Sequence, residues 1–186
     1  MYFLESGTTH QVAKAICEGV IAASSDTDNT VVCELLRIEA AHIPCCRFEC
    51  EEYLLVIDRA DAVVFGSPTY MGGPAAQFYA FADASSDRWE EQRWNNKVAA
   101  GFTAGSNAGG DQLCCLQYFS ILAAQHGMFW VTLDMQDHTL NEGSNLGMQL
   151  GFAAAVSADA ISEADRKTAQ RLGQRVVNVC SKLSDK

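Results

Sequence analysis

Three short segments rich in glycine, serine and threonine hold the residues of this sequence that are best suited to chemistry. They span residues 5–9, 67–73 and 104–111, and we refer to them as the first, second and third loops. Each follows an apolar run that is typical of a buried strand. Small side chains let a ligand approach the backbone, and amides and hydroxyls can donate hydrogen bonds to it. The three loops are therefore predicted to form a ligand site.

The first loop contains Ser6-Gly7-Thr8-Thr9 between a predicted strand and a predicted helix. Free amides at a helix N-terminus, together with the helix dipole, bind phosphate without a lysine. The pattern is neither a Walker loop nor the Gly-x-Gly-x-x-Gly of dinucleotide folds, so a mononucleotide is favoured. The alternative interpretation is that Thr8 or Thr9 only caps the helix.

The second loop brings an aromatic ring and a thioether, Tyr70 and Met71, between small residues. Such a loop can offer amides to the edge of a flat ring and apolar atoms to its face. The third loop has three glycines, Gly105, Gly109 and Gly110, and can do the same. Either loop could instead be an ordinary turn.

Apolar runs and helical spacing predict the elements that position these loops. Strands are predicted at 1–4, 30–38, 62–66, 97–103 and 128–133. Helices are predicted at 12–21, 53–60, 75–83, 112–125 and 162–183, with an irregular stretch at 134–151. A β-strand followed by a helix, repeated five times, predicts a parallel sheet with helices on both faces, an α/β three-layer sandwich. We expect one domain over residues 1–186.

Composition narrows the class of partner. The chain has 186 residues and a formal net charge of −10, which argues against nucleic acid or an anionic membrane as the main partner. No apolar run approaches the roughly 20 residues that span a bilayer, and the N-terminal residues do not resemble a signal peptide. We therefore expect a cytoplasmic protein, in which most of the eight cysteines are free thiols.

Three stretches together resemble a known family. Residues 62–70 read AVVFGSPTY, residues 102–110 read FTAGSNAGG, and residues 125–128 read QHGM. The chain, over about residues 1–133, resembles the flavodoxin-like superfamily and, more closely, the WrbA-type NAD(P)H:quinone oxidoreductases and NADPH-dependent FMN reductases. The resemblance implies a flavodoxin-like fold with a five-stranded parallel sheet in the order 2-1-3-4-5.

The resemblance also implies bound FMN, with its phosphate on the first loop and its ring between the other two. The residues implied at the cofactor are Glu5, Ser6, Gly7, Thr8, Thr9, Pro68, Thr69, Tyr70, Met71, Gly72, Ala104, Gly105, Ser106, Asn107, Ala108 and Gly109. His126 is implied near the pyrimidine end of the ring as a catalytic residue. Trp89 is implied as a roof over the nicotinamide and quinone pocket, often from a neighbouring subunit. The residues alone leave His126 open as a helix C-terminal cation and Trp89 open as core.

The sequence departs from the family pattern in four places. The first strand is shorter at its start, and Leu4 stands where a hydroxyl residue is usual. Gln125 replaces the first of two adjacent histidines. The stretch after Asp134 lacks the family's glycine-rich insertion, and this absence counts against tetramer assembly.

The implied function is an oxidoreductase that passes hydride from NADH or NADPH through FMN to a quinone or similar acceptor by a ping-pong mechanism. The alternative is a flavodoxin-type electron carrier, whose negative charge would suit basic redox partners. A homodimer or homotetramer is expected. The apolar side chains of the helix at 112–125 would supply its surface, namely Leu113, Leu116, Tyr118, Phe119 and Leu122.

Two further alternatives belong to other classes. His42, Cys45, Cys46 and Cys50 are four soft ligands within nine residues. They lack the paired Cys-x-x-Cys spacing of zinc knuckles, so free thiols are preferred and no metal is expected. A flavin-free scaffold of the same fold is the other alternative.

Overall fold

In the part of the chain that the structure describes, seven strands form one sheet, which is parallel except for a short hairpin. The computed structural model describes residues 1–3, 7–24, 30–107, 109–134, 148–155 and 160–184. The strands are β1 (Tyr2–Phe3), β2 (Arg37–Ile38), β3 (Ala62–Tyr70), β4 (Gly73–Pro74), β5 (Val98–Gly105), β6 (Phe129–Trp130) and β7 (Phe152–Ala155). The helices are α1 (Gly7–Ser24), α2 (Glu51–Arg59), α3 (Ala76–Ala84), α4 (Ser86–Glu90), α5 (Gly110–Gln125) and α6 (Glu163–Ser184). Two short 3₁₀ turns, Ala40–His42 and Pro44–Cys46, precede α2.

The hydrogen-bonded path across the sheet runs β2-β1-β3-β5-β6, with β7 also paired to β5. Beyond β5 the next position in the sheet is divided between two segments. β6 pairs with Val98 and Ala99 at the start of β5, and β7 pairs with its last four residues, Phe102 to Gly105. The sequence pattern predicted a strand at 128–133 but missed β7, so the chain leaves the sheet and returns to it before α6.

The alternation of side chains along β5 divides the core between the two faces of the sheet. Val98, Ala100, Phe102 and Ala104 pack with α1 and α6, whereas Ala99 packs with the aromatic side chains of α3 and α5. Both faces are therefore covered by helices, as expected for a parallel sheet. The predicted α/β sandwich is confirmed.

Two predicted element bounds are corrected. The predicted strand at 30–38 is reduced to β2, because only Arg37 and Ile38 pair with β1. The predicted strand at 62–66 continues to Tyr70, because its pairing with β5 extends through Pro68 and β4 then pairs with its last two residues. Pro74, directly before the helix predicted at 75–83, lies in β4, and α3 begins at Ala76.

The surface of α5 is less apolar than the sequence predicted. Leu116, Phe119 and Leu122 are buried in the core beneath the helix, whereas Leu113 and Ile121 are exposed. None of the helices, as far as the structure describes them, is long and apolar enough to cross a membrane.

Candidate cofactor site

The three predicted loops lie at one edge of the sheet. β1, β3 and β5 are adjacent and parallel, so their carboxyl ends point the same way. The second loop comprises the end of β3 and the turn into β4, the third runs from the end of β5 into the start of α5, and α1 begins after β1. The carboxyl edge of an open parallel sheet is where such folds bind ligands. Glu5, Ser6 and Ala108 lie outside the residues that the structure describes.

The first loop leads into α1 with two buried hydroxyls. Gly7 is the first residue of the helix, and Thr8 and Thr9 are fully buried within its first turn. Neither threonine Oγ1 has a hydrogen-bond partner among the described residues. Buried hydroxyls are nearly always partnered, so two unpartnered ones at a helix N-terminus suit an anionic ligand.

The second loop is a tight hairpin rather than an open loop. β3 turns through Met71 (φ 49°) and Gly72 (φ 79°) into β4. Two successive positive φ values are typical of a two-residue hairpin turn, in which glycine avoids the strain that Met71 accepts. Tyr70 is exposed and the Met71 side chain is fully exposed, so both stand at the outer edge of the site.

The base of the second loop is fixed by Ser67. Its buried hydroxyl accepts a hydrogen bond from the Ala75 amide at 2.9 Å and donates to the Pro68 carbonyl at 2.9 Å. Beyond it, the Thr69 and Thr103 Oγ1 atoms lie 2.7 Å apart, and the Thr103 hydroxyl donates to the Ser67 carbonyl at 2.8 Å. Loop and sheet are thus joined by hydroxyls directly beside the predicted ring site.

The third loop is held by a residue that the sequence analysis missed. The buried Gln112 side chain donates through Nε2 to the Ala154 carbonyl of β7 at 2.8 Å, and its Oε1 accepts from the Gly109 amide at 3.4 Å. Gly109 has φ 126°, a conformation open chiefly to glycine. The sequence feature that could have revealed Gln112 is its place at the third position of a helix that follows a glycine-rich loop. An amide side chain at that position can reach back to the loop.

His126 and Trp89 are not brought together with the loops. α5 begins beside the third loop and runs for 16 residues, about 24 Å, before it ends at His126. The next residue, Gly127, accepts from the Asn96 amide just before β5, which places this turn at the amino edge of the sheet. Trp89 lies in α4, which likewise precedes β5. Within one chain His126 and Trp89 therefore lie apart from the three loops, and their implied place beside the flavin stays a prediction.

His126 occupies a buried polar pocket of its own. The side chain is 2% exposed, its Nε2 lies 2.9 Å from the Ser85 hydroxyl, and its ring packs against Trp94 at 4.3 Å between centroids. Burial lowers the pKa of His126 to about 4, so the imidazole is neutral at physiological pH. This excludes the alternative role of a helix C-terminal cation.

Trp89 is half-exposed beside a pocket of about 270 Å³. The pocket is lined by Ala82, Ser85, Ser86, Trp89, Leu122 and Gln125. Trp89 is therefore a surface aromatic and not part of the core.

The cysteine-rich segment before α2 does not gather into a metal centre. Among the described residues, no three His, Cys, Asp or Glu side chains are arranged to hold a metal ion. Cys45 and Cys46 are exposed, and His42 Nδ1 accepts from the Glu39 amide at 3.2 Å. All eight cysteines are free thiols.

Comparison with known proteins supports the class that the fold and the site define. The chain matches the NADPH-dependent FMN reductase family over residues 5–134. It is 31% identical to "Flavodoxin FldP" of Pseudomonas aeruginosa, over 98% of this chain and 96% of that protein. It is 28% identical to an "NAD(P)H dehydrogenase (quinone)" of Archaeoglobus fulgidus, over 96% and 94% of the two chains.

A solved structure agrees with these relatives. The structure of the "flavodoxin, WrbA-like protein" of Agrobacterium tumefaciens superposes with a TM-score of 0.74 at 35% identity, covering 97% of this chain and 94% of that one. The predicted flavodoxin-like fold and the predicted family are both confirmed. The chain belongs to the NADPH-dependent FMN reductase family and is an FMN-dependent oxidoreductase.

The described residues fit the phosphate end of FMN. A phosphate needs several hydrogen-bond donors, and the N-terminus of α1 offers free amides beside the unpartnered Thr8 and Thr9 hydroxyls.

Proposed function

We propose that this protein passes hydride from NADH or NADPH through FMN to a quinone or a similar acceptor by a ping-pong mechanism. The observation that carries the proposal is the pair of buried, unpartnered hydroxyls of Thr8 and Thr9 at the edge where the second and third loops also lie. Bound FMN would supply the redox chemistry, accepting hydride from the nicotinamide and returning electrons to the acceptor.

The chain's own residues would bind and orient the cofactor. The α1 amides with Thr8 and Thr9 would hold the phosphate. Pro68, Thr69, Tyr70, Met71 and Gly72 would lie along one edge of the ring. Residues 104–109 would line the other side, held in place by Gln112. Because Ser67 and Thr103 fix the base of the second loop, little reorganisation would be needed on binding.

Trp89 would reach a flavin only from a second copy of the chain, with the buried His126 behind the same pocket, bonded to its lining residue Ser85. Within one chain the full length of α5 separates His126 from the loops. The pocket beside Trp89 is open to solvent and partly apolar, as a docking surface requires. Exposed Tyr79, Leu113 and Ile121 on α3 and α5 extend the apolar surface that a homodimer or homotetramer would cover.

An electron carrier without NAD(P)H activity is the second candidate function. The net charge of −10 and the exposed Tyr70 and Met71 at the outer edge of the site would suit docking of a basic redox partner. One relative bears the name flavodoxin, which agrees with this candidate.

Anaerobic spectroscopy distinguishes the two functions. The purified protein is titrated with FMN, and binding is measured by the quenching of flavin fluorescence. NADH or NADPH is then added in the absence of oxygen. Rapid bleaching of the flavin band, reversed by benzoquinone, is the result expected of the reductase. When Thr8 or Thr9 is substituted, Thr168→Val is the matched control, because this buried hydroxyl in α6 already donates to the Ala164 carbonyl.

The other results are equally informative. Tight FMN binding without bleaching would identify the electron carrier. Failure to bind FMN would refute both functions and leave the flavin-free scaffold.

A further inference from the structure

The hydroxyl of Thr103 has only one proton, and the structure shows where it goes. Thr103 Oγ1 lies 2.8 Å from the Ser67 carbonyl oxygen, which can only accept. Thr103 therefore donates to Ser67. Its oxygen retains lone pairs but has no second proton to give.

The direction of the neighbouring hydrogen bond follows from this. Thr69 Oγ1 lies 2.7 Å from Thr103 Oγ1, a distance typical of a hydroxyl–hydroxyl hydrogen bond. Because the Thr103 proton is committed to Ser67, Thr69 must be the donor. The Thr69 proton thus points into the protein, and its oxygen presents only lone pairs toward the carboxyl edge of the sheet.

Cys115 lies next to both threonines, so its protonation state matters for the direction of their hydrogen bonds. Its fully buried thiol lies within hydrogen-bond reach of both threonine hydroxyls. Burial raises the pKa of Cys115 to about 11, so the group remains a thiol, which is a weak donor. A thiolate in its place would attract the hydroxyl protons and disturb their order.

We propose that Thr103 is a positioning residue that fixes the Thr69 hydroxyl as a hydrogen-bond acceptor toward an N–H group of the flavin ring. This inference rests on the proposed function, which places Thr69 at the ring edge. Thr103 is fully buried and bonded to Thr69, so it would act on the ring N–H through Thr69 and not by direct contact. The fixed direction would favour a ring N–H opposite Thr69 and disfavour a ring carbonyl at the same place.

A double-mutant cycle on FMN affinity tests this inference. The dissociation constants of FMN are measured by fluorescence quenching for the wild type, Thr69→Val, Thr103→Val and the double variant. Each single substitution is expected to weaken binding about fivefold, the value of one neutral hydrogen bond. The double variant is expected to be no weaker than Thr69→Val, because Thr103 then has nothing to position.

Conservative variants separate positioning from folding. Thr103→Ser keeps the hydroxyl and should retain the wild-type affinity within about twofold. Thr103→Ala repeats the test if the valine variant does not fold, and urea unfolding of each apoprotein monitors stability. Multiplicative effects in the double variant, or an unchanged affinity in Thr69→Val or Thr103→Val, would overturn the inference. Failure of the wild type to bind FMN would instead refute the proposed function and the inference together.

Discussion

His126 donates a hydrogen bond from Nε2 to the hydroxyl of Ser85, 2.9 Å away. The direction is fixed because the Ser85 hydroxyl donates its only proton to the Ala82 carbonyl at 2.7 Å. The imidazole is therefore the Nε2–H tautomer. Its Nδ1 atom is buried without a partner among the described residues, so the ring joins the turn after α3 to the end of α5 as a neutral group.

Burial of neutral His126 predicts loss of stability in mild acid. Its pKa falls from 6.5 to about 4 in the folded protein, so between these values only the unfolded chain takes up the proton. The contribution of neutral His126 to the stability of the folded protein is fully present above pH 6.5. It declines as the pH falls toward 4 and is lost below that. The total loss is roughly 3 kcal/mol of unfolding free energy, to be measured by urea unfolding across this range.

Two variants check this interpretation. His126→Gln cannot take up a proton, so its stability should depend less steeply on pH between 6.5 and 4. Ser85→Ala leaves the Nε2 proton without an acceptor and should cost about 1 to 3 kcal/mol at neutral pH. Ser86→Ala, at an exposed neighbour that donates to the Asp83 carbonyl, is the matched control. An equal pH dependence in the wild type and His126→Gln would contradict the assignment.

Removal of the Thr8 or Thr9 hydroxyl should have opposite effects on stability and on binding. Each hydroxyl is buried and has no partner among the described residues, so Thr8→Val and Thr9→Val should each raise the unfolding free energy of the apoprotein, by about 1 kcal/mol. The same substitutions remove donors from the proposed phosphate site. FMN affinity should then fall about tenfold, as measured by fluorescence quenching.

Thr168→Val provides the comparison for these two variants. Its hydroxyl is satisfied by the Ala164 carbonyl, so the substitution should lower stability slightly and leave FMN affinity unchanged. Destabilised Thr8→Val and Thr9→Val proteins with wild-type affinity would place the phosphate elsewhere.

Close packing of α1 against α6 predicts that two glycines tolerate no side chain. A Cβ atom on Gly19 would lie 2.0 Å from the Gln170 carbonyl oxygen, and one on Gly173 would lie 2.1 Å from that of Ile16. Alanine usually favours a helix by about 1 kcal/mol over glycine, but here the backbones would have to separate. Gly19→Ala and Gly173→Ala should each lower the unfolding free energy by about 1 to 3 kcal/mol.

Gly110 is the control for this packing effect. It opens α5 with no atom near its would-be Cβ and no positive φ, so Gly110→Ala should be neutral or stabilising by up to about 1 kcal/mol. Thermal unfolding of the three variants gives the comparison. A stable Gly19→Ala protein would mean that the two helices are farther apart.

Thiol reactivity should follow exposure and thiolate content. Cys45, Cys46 and Cys114 are exposed, and alkylation followed by mass spectrometry should find them modified first. Burial raises the pKa of Cys33 to about 12 and that of Cys115 to about 11, so both should react only as the protein unfolds. Rapid modification of Cys115 in the folded protein would contradict its place beneath Thr69 and Thr103.

The sequence predicted the loops of the site because their signals are local. A glycine, serine or threonine cluster after an apolar run marks the carboxyl end of a strand, and parallel topology brings such ends to one edge. Thr69, Gly105 and Gly109 could therefore be placed without coordinates. The long periodicity of α6 was also sufficient, since the predicted helix at 162–183 differs from the observed one by a single residue at each end.

Features that depend on pairing were hidden from the sequence. Phe152–Ala155 consists of one phenylalanine and three alanines, a composition with little strand preference, and forms β7 only because β5 presents free backbone groups beside it. Tyr70 became part of a strand for a similar reason, since β4 folds back onto it.

The position of His126 shows most clearly what the sequence determined and what it left to the tertiary structure. The sequence determined that a histidine ends a helix after a glycine-rich loop, and the resemblance linked it to the flavin. Only the tertiary structure decided which end of the sheet it occupies, because a helix that returns antiparallel to its strand carries its last residue to the opposite edge. The direction of the Thr69 proton was likewise settled by Thr103 and Ser67, which are distant from each other in sequence and become neighbours only through the β3–β5 register.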